Sequence, residues 1–295
     1  MSTPSVTLCE VGPRDGFQFE HTLIPTALKK DILRALVEAG MPRIQLTSFV
    51  HPGRVPQMAD AEELVDAFRD TPGVVFSGLA LNERGVTRAA ASGLRFVDLS
   101  IATNEQHGQD NANMSVEEGI ASATEMIRMA REAGMEVQLG LQTVWGYRAP
   151  GDTDPDAIRR LAARFAREEL ESFSLADSTG LANPVSIREM IRLVRAECDH
   201  PLVLHLHDTR GMGIANILAA HEEGVDRFDT SLGGMGGCPF IPGATGNVAT
   251  EDVIWALEQQ GISTGVDAAR VASASRRVAE HVGHPLSAKL WSLLA

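Results

Sequence analysis

The chain has 295 residues, of which 44% are hydrophobic and 22% are charged, a composition typical of a globular protein with a large core. Its formal net charge of −13 at pH 7 argues against nucleic acid as a partner, because a polyanion binds to a basic face. No stretch approaches the ~20 consecutive apolar residues of a transmembrane helix, so no membrane association is expected.

The number of cysteines and the N-terminal residues indicate the cellular compartment. Cys9, Cys198 and Cys238 are odd in number and too few for a disulfide framework. Residues 1–5 carry no basic region followed by an apolar run, so no signal peptide is expected. We therefore expect a reduced, cytoplasmic protein.

Short apolar runs alternate with helical segments along the chain, and most are apolar on both faces, as in buried parallel strands. The eight predicted strands span residues 6–11, 43–49, 74–81, 96–102, 137–143, 172–177, 202–207 and 227–232. Four of them follow a glycine that is able to end a helix in the left-handed conformation, at Gly40, Gly93, Gly134 and Gly224.

Several helix starts also carry recognisable sequence signals. Ser115 with Glu118 forms a capping-box pattern, and Asp154 and Asn183 each precede a proline. Eight strand–helix units predict an α/β fold, a (β/α)8 TIM barrel forming a single domain over residues 1–295. A doubly wound open sheet is the alternative. Residues 250–260 are expected to form the eighth barrel helix, and residues near 267–282 an extra C-terminal helix.

Active sites of such barrels lie at the carboxyl ends of the strands. His205 and His207 end strand seven, two residues apart and thus on one face, which gives half of a metal site. Arg14 and Asp15 follow strand one between glycines. Two core histidines and a solvated ion pair in a turn are the alternative interpretations.

A glycine-rich stretch follows strand eight and contains Cys238 and Asn247. It matches neither the P-loop nor the dinucleotide-binding pattern. A cysteine in such a loop is able to close over a substrate. The alternatives are a small buried residue for Cys238 and a helix cap or turn residue for Asn247.

Together these stretches resemble the 3-hydroxy-3-methylglutaryl-CoA lyase family of the DRE-TIM metallolyase superfamily. The matching motifs are VGPRDG, TSFV continuing to VPQM, H-x-HDT, and GGCP with GATGN, at residues 11–16, 47–58, 205–209 and 236–247. The resemblance spans nearly the whole chain in motif order. The glycine-loop cysteine motif is specific to the lyases, whereas the others are shared with isopropylmalate and citramalate synthases.

The resemblance implies that Asp15, His205, His207 and Asn247 bind a divalent cation. Two imidazoles and two oxygen ligands suit Mg2+ or Mn2+, although nitrogen ligands also accept Zn2+ or Co2+. The expected partners are a small acyl-CoA substrate and a second copy of the chain in a homodimer.

The implied reaction is the retro-Claisen cleavage of a 3-hydroxy-acyl-CoA to acetyl-CoA and a keto acid or ketone, as in leucine or ketone-body metabolism. Arg14 would stabilise the negative charge developing on the thioester oxygen, and Cys238 would protonate the enolate carbon. His205 and Asp15 are both candidates for the initial base, and the choice between them stays open.

The candidate pocket residues depart in part from the family pattern. The family usually has Glu at or beside the strand-two position of Gln45, and its strand-five end differs from the segment that carries Trp145 and Tyr147. Phe19 adds an aromatic ring after the first motif, although ordinary packing is the alternative for all three aromatic residues. The candidate pocket residues are Gln18, Gln45, Thr47, Ser48, Trp145 and Asp177. We therefore expect the same reaction class on a different or larger 3-hydroxy acid thioester.

Other functions are weighed against this one. A metal-dependent acyl-CoA condensing enzyme or aldolase of the same superfamily, acting on a 2-oxo acid, is the main alternative. A metal hydrolase is disfavoured because strand one offers Arg14 and Asp15 instead of a histidine pair, and no histidine ends strands five or six. A binding protein without activity is disfavoured by the full ligand set.

Overall fold

Eight parallel strands close into a barrel in the computed structural model, which describes residues 5–237 and 246–294. Each strand pairs with its neighbours in the chain, and β1 also pairs with β8. The strands are β1 (Thr7–Glu10), β2 (Arg43–Ser48), β3 (Val75–Ala80), β4 (Phe96–Ala102), β5 (Glu136–Gln142), β6 (Ser172–Asp177), β7 (Leu202–Leu206) and β8 (Arg227–Thr230). The prediction of a TIM barrel is confirmed, and the open-sheet alternative is wrong.

Helices follow the strands and complete the (β/α)8 pattern. They are α1 (Thr26–Glu38), α2 (Ala61–Phe68), α3 (Glu83–Ala91), α4 (Glu105–Ala112), α5 (Val116–Glu132), α6 (Pro155–Phe165), α7 (Pro184–Arg195), α8 (Gly213–Glu222), α9 (Thr250–Glu258) and α10 (Ala268–Val282). The predicted eighth barrel helix and extra C-terminal helix correspond to α9 and α10. No helix within the described ranges has the length and apolar character needed to cross a membrane.

The local signals at helix ends act as the sequence predicts. Ser115 and Glu118 form the reciprocal capping box of α5, and the side chains of Asp154 and Asn183 accept backbone N–H groups at the starts of α6 and α7. The four helix-ending glycines all have positive φ, between 76° and 84°. These glycines release the chain from each helix into the next strand without the steric cost that a Cβ would impose.

Two short helical turns lie at the carboxyl end of the barrel. One spans Gly12–Gly16 after β1, and the other spans Leu232–Gly234 after β8. Glu10 joins them, because its buried carboxyl oxygen accepts the backbone N–H groups of both Gly12 and Leu232 at 2.8 Å. The first turn carries Arg14 and Asp15, so Glu10 fixes these residues relative to the start of the glycine-rich stretch.

Candidate active site

Three potential metal ligands converge at the carboxyl end of the barrel. His205 and His207 come from the end of β7, and Asp15 comes from the turn after β1. The Nε2 atoms of the two histidines are 3.2 Å apart, and Asp15 Oδ2 lies 3.9 Å from His205 Nε2. One ligand atom from each of the three residues lies within 4.8 Å of the others, a spacing that one cation is able to bridge.

Asn247 lies beside this cluster. It forms a backbone bridge with His207, and its Nδ2 donates to Asp15 Oδ2 at 2.7 Å. Its Oδ1 is buried without a hydrogen-bond partner among the described residues. Since buried polar atoms are normally satisfied, this carboxamide oxygen is available as a fourth ligand. Two imidazole nitrogens, a carboxylate and a carboxamide oxygen together fit a divalent cation.

Asp229 on β8 orients His205. The Nδ1 atom of His205 donates to Asp229 Oδ2 at 3.2 Å, since a carboxylate oxygen only accepts. The proton on Nδ1 leaves the Nε2 lone pair free to bind a cation, which is the usual arrangement of a metal-binding histidine.

The electrostatics keep these groups in their ligating forms. Burial lowers the pKa of His207 to about 3, and the neighbouring His205 adds to this effect. Burial alone would raise the pKa of Asp15, but the charge of Arg14 and contacts with the two histidines and Asn247 hold it below its usual range. At neutral pH His207 is therefore a neutral imidazole and Asp15 a carboxylate, the forms that bind metal.

Arg14 is held beside the cluster from two sides. Its Nη1 donates to Asp15 Oδ1, and its Nε donates to Gln45 Oε1. Gln45 in turn donates through Nε2 to Asp98 Oδ2 on β4. Burial raises the pKa of Asp98, and the hydrogen bonds from Ser77 and Gln45 oppose this shift.

A cavity of about 350 Å³ opens over this arrangement, at the low end of the range for small-molecule sites. Predicted residues in its wall are Arg14, Asp15, Gln18, Gln45, His205 and His207. Gln18 also donates to Asp15 Oδ1 at 3.2 Å. The aromatic ring of Phe19 lines the same cavity.

Four predicted pocket residues lie away from the described cavity wall. Thr47 and Ser48 are fully buried: Thr47 contacts Met58, and Ser48 donates to a backbone carbonyl of β3. The pairing of β2 with β3 shifts between Gln45 and Thr47, which disturbs the alternation of side chains along β2. Neither hydroxyl lines the described cavity, and a role for them in the pocket stays a prediction.

Trp145 and Asp177 are engaged elsewhere. The indole N–H of Trp145 donates to the backbone carbonyl of Ser186 on α7 at 3.1 Å. The carboxylate of Asp177 accepts the backbone N–H groups of Leu181 and Ala182 and so holds the turn after β6. Packing, the alternative noted for Trp145, is the better description, and neither side chain lines the described cavity.

Cys238 lies outside the described residues. Gly237, which precedes it in the chain, lines the cavity. The role predicted for this cysteine therefore stays a prediction.

Sequence reasoning missed three carboxylates of this region, Glu10, Asp98 and Asp229. Each is the single acidic residue of its strand. A single acidic residue in a strand expected to be buried was the available signal, because an unpaired buried charge is costly and normally has partners.

The comparisons with known proteins agree on a family. A family profile described as HMGL-like matches residues 5–278. A hydroxymethylglutaryl-CoA lyase of Bacillus subtilis is 34% identical over 96% of this chain and 95% of its own length. The crystal structure of hydroxymethylglutaryl-CoA lyase from Pseudomonas aeruginosa is 36% identical, with a TM-score of 0.93 over 100% of this chain and 99% of that one.

A third similar structure contains ligands. It is an HMG-CoA lyase from Acinetobacter baumannii in complex with coenzyme A and 3-methylmalate. It is 32% identical, with a TM-score of 0.91 over 99% of this chain and 96% of that one. On the extent of the sequence and structural match, the chain belongs to the HMGL-like family.

Proposed function

We propose that this protein is a divalent-metal-dependent carbon–carbon lyase that cleaves an acyl-CoA similar to 3-hydroxy-3-methylglutaryl-CoA. The products would be acetyl-CoA and a keto acid or ketone. The observation that carries the proposal is the cluster of Asp15, His205, His207 and Asn247 beside Arg14, in a chain of this family. The coenzyme A bound by the relative from Acinetobacter baumannii supports a thioester substrate.

The four clustered side chains would hold the cation, and we propose Mg2+ or Mn2+ because half of the donor set is oxygen. When bound, the cation supplies Lewis-acid polarisation of substrate oxygens. Asp229 holds His205, and Arg14 together with Gln18 holds Asp15, so the ligands are oriented by the protein itself.

Arg14 is the residue placed to stabilise developing negative charge. When the substrate hydroxyl loses its proton and the C2–C3 bond breaks, the bonding electron pair moves into an enolate of the thioester. A guanidinium already fixed by Gln45 and Asp15 needs no reorganisation to bind that enolate oxygen. Arg14 would therefore act on the transition state more than on the bound substrate.

Cys238 would complete the reaction by donating its thiol proton to C2 of the enolate, which yields acetyl-CoA and a thiolate. The thiolate would then be reprotonated, either by solvent or by the proton that the substrate hydroxyl released. An ordinary thiol pKa of about 8.5 leaves most of the group protonated at neutral pH.

The acyl group is where we expect this protein to differ from its relatives. Gln45 lies at or beside the strand-two position where the family usually has Glu, and Phe19 contributes an aromatic ring to the cavity wall. We propose a 3-hydroxy acid thioester whose acyl group is different from, or larger than, the 3-hydroxy-3-methylglutaryl group. The homodimer and the cytoplasmic location stay predictions.

A panel of 3-hydroxy-acyl-CoA thioesters, assayed for acetyl-CoA release with and without Mn2+, tests this function. We expect release that depends on the cation, with highest kcat/KM on one member of the panel. If none is cleaved, and acetyl-CoA with a 2-oxo acid instead releases free CoA, the protein is a condensing enzyme and the proposal is wrong.

A further inference from the structure

A chain of hydrogen bonds runs across the barrel interior from β4 to Arg14. Asp98 Oδ2 accepts the Nε2–H of Gln45 on β2, and Gln45 Oε1 accepts the Nε–H of Arg14. Ser77 on β3, the strand between them, donates to the same Asp98 oxygen at 2.6 Å. The side chains are well shielded from solvent, with exposures of 4% for Gln45, 3% for Ser77 and 5% for Asp98.

The two ends of this chain allow only one orientation of the Gln45 amide. A guanidinium donates and never accepts, whereas a carboxylate accepts. A reversed amide would place its NH2 group against the N–H of Arg14 and its oxygen against the carboxylate of Asp98. The charge on Asp98 therefore keeps Gln45 Oε1 turned toward Arg14.

Gln45 also links the charge of Asp98 to Arg14. Within the described part of the chain, Asp98 forms no ion pair, and its hydrogen-bond donors are Gln45 and Ser77. Hydrogen bonds to a charged group are stronger than neutral ones, and linked bonds polarise one another. The bond from Arg14 to Gln45 is thus strengthened by a carboxylate that Arg14 does not touch.

The guanidinium of Arg14 is fixed at two of its three nitrogens. Nε is held by Gln45 and Nη1 by Asp15, while no described residue accepts a hydrogen bond from Nη2. Arg14 lines the cavity. A planar guanidinium that is held along one edge presents its remaining N–H groups in a fixed direction.

We propose that Asp98 is a positioning residue that acts through Gln45 to aim Arg14 at the reacting thioester. The inference rests on the proposed function, in which Arg14 stabilises the enolate. Asp98 is not one of the clustered cation ligands, so its removal should alter the chemical step and leave cation binding unchanged.

Asp98→Asn is the first variant to measure. The asparagine keeps the shape of the side chain but offers both a donor and an acceptor, so the Gln45 amide is able to reverse and place its NH2 group against Arg14. We expect kcat to fall roughly 10- to 100-fold, with KM changed less than about 3-fold, because misaligned catalytic groups lose rate at this scale. Cation content should match that of the wild type.

Gln45→Glu/Asp98→Asn moves the carboxylate onto the partner of Arg14 instead of removing it. In this double variant the carboxylate introduced at position 45 accepts directly from Arg14, and the amide introduced at position 98 donates to that carboxylate. We expect kcat to return to within a few-fold of wild type. If Asp98 had only a structural role, adding Gln45→Glu to Asp98→Asn would lower kcat further instead of restoring it.

Asp60→Asn is the matched control. Asp60 forms a partly buried ion pair with Lys29 at 2.8 Å, and neither residue lines the cavity. This variant should lower thermal stability and leave kcat unchanged. If Asp98→Asn behaves in the same way, the proposal is overturned.

A readout that needs no turnover separates this inference from the proposed function. The Arg14 Nε–H signal in a 15N NMR spectrum, assigned by its loss in Arg14→Lys, should exchange slowly in the wild type and quickly in Asp98→Asn. It should be slow again in the double variant. An unchanged exchange rate in Asp98→Asn would overturn the proposal even if no thioester is cleaved. Gln45→Met should mimic Asp98→Asn, and serves if that variant does not fold.

Discussion

The cavity has two walls that are built in different ways. The cation-binding wall comes from β7, β8 and β1, which are consecutive in the closed barrel, and carries His205, His207 and Asp15. The opposite wall comes from β2 to β6 and carries amides, hydroxyls and Asp98. A cation restricts the ligand types, whereas a substrate wall needs only suitable shape and polarity. The first wall is therefore expected to hold the cation and to carry Arg14. The second is expected to select the substrate and, through Asp98 and Gln45, to position Arg14.

Removal of a ligand from the cation-binding wall should have the largest effect. His207→Ala takes away a neutral imidazole from the cluster, and we expect cation affinity and kcat both to fall by more than about 100-fold, because even indirect ligand partners are worth 10- to 100-fold. Cation content after dialysis and the rate of acetyl-CoA release check this. His200→Ala, at a histidine outside the cluster, is the control and should change neither.

Cys238→Ser should abolish most turnover while leaving cation content intact, because a hydroxyl is a much weaker acid than a thiol. Acetyl-CoA release and metal analysis of the same preparation measure the two effects separately. Near-wild-type activity of this variant on every cleavable thioester would show that Cys238 is not the proton donor.

Asp229→Asn should have an intermediate effect, again on the cation-binding wall. The asparagine is able to place its NH2 group against His205 Nδ1 and so to favour the tautomer with the proton on Nε2. We expect cation affinity to fall roughly 10- to 100-fold and kcat at saturating cation to change less. Titration with Mn2+, followed by electron paramagnetic resonance, measures the affinity. Unchanged affinity would mean that Asp229 does not orient the ligand.

Glu10 links the turns that follow β1 and β8, both on the cation-binding wall, and should make stability depend on pH. Burial raises the pKa of Glu10 to about 8, so the folded state holds a proton that the unfolded chain releases near its ordinary pKa. The contribution of Glu10 to stability is complete below its ordinary pKa of 4.5 and is lost as pH rises through the folded-state pKa of about 8. Between pH 5 and 8.5, we expect the Tm of the wild type to fall more than that of Glu10→Gln. Parallel Tm profiles would contradict this.

Trp145→Phe should have the smallest effect and leave substrate preference unchanged. The indole donates to the carbonyl of Ser186 and does not line the cavity, so its loss should cost about 1 kcal/mol of folding free energy. Phe19→Leu, in the cavity wall, should instead change the ratio of kcat/KM between short and long acyl groups. A change of that ratio in Trp145→Phe would reverse the assignment of the two aromatic residues.

The sequence predicted the barrel and the cation-binding wall because both depend on short-range signals. Helix-ending glycines and caps mark the units, and His205 and His207 lie two residues apart on one strand. The opposite wall could not be predicted in the same way. The register shift of β2 after Gln45 redirects Thr47, and Thr143 adopts a positive φ of 59° where the chain leaves β5 toward Trp145. Such backbone departures depend on neighbouring strands and leave no local motif.

Asp98 illustrates the same limit. It is 53 residues from Gln45 in the chain, and only the pairing of β2, β3 and β4 in the barrel brings their side chains into hydrogen-bond contact. A buried acidic residue in an apolar strand indicates that a partner exists, but not which one.

Cleavage in D2O tests the central claim most directly. If the cation-binding wall, Arg14 and Cys238 carry out retro-Claisen cleavage, each turnover should release acetyl-CoA with one deuterium on its methyl carbon, since the enolate takes its new hydrogen from an exchangeable group. Mass spectrometry of the products reads this out. Free CoA with an intact 3-hydroxy acid, or acetyl-CoA without deuterium, would contradict the account.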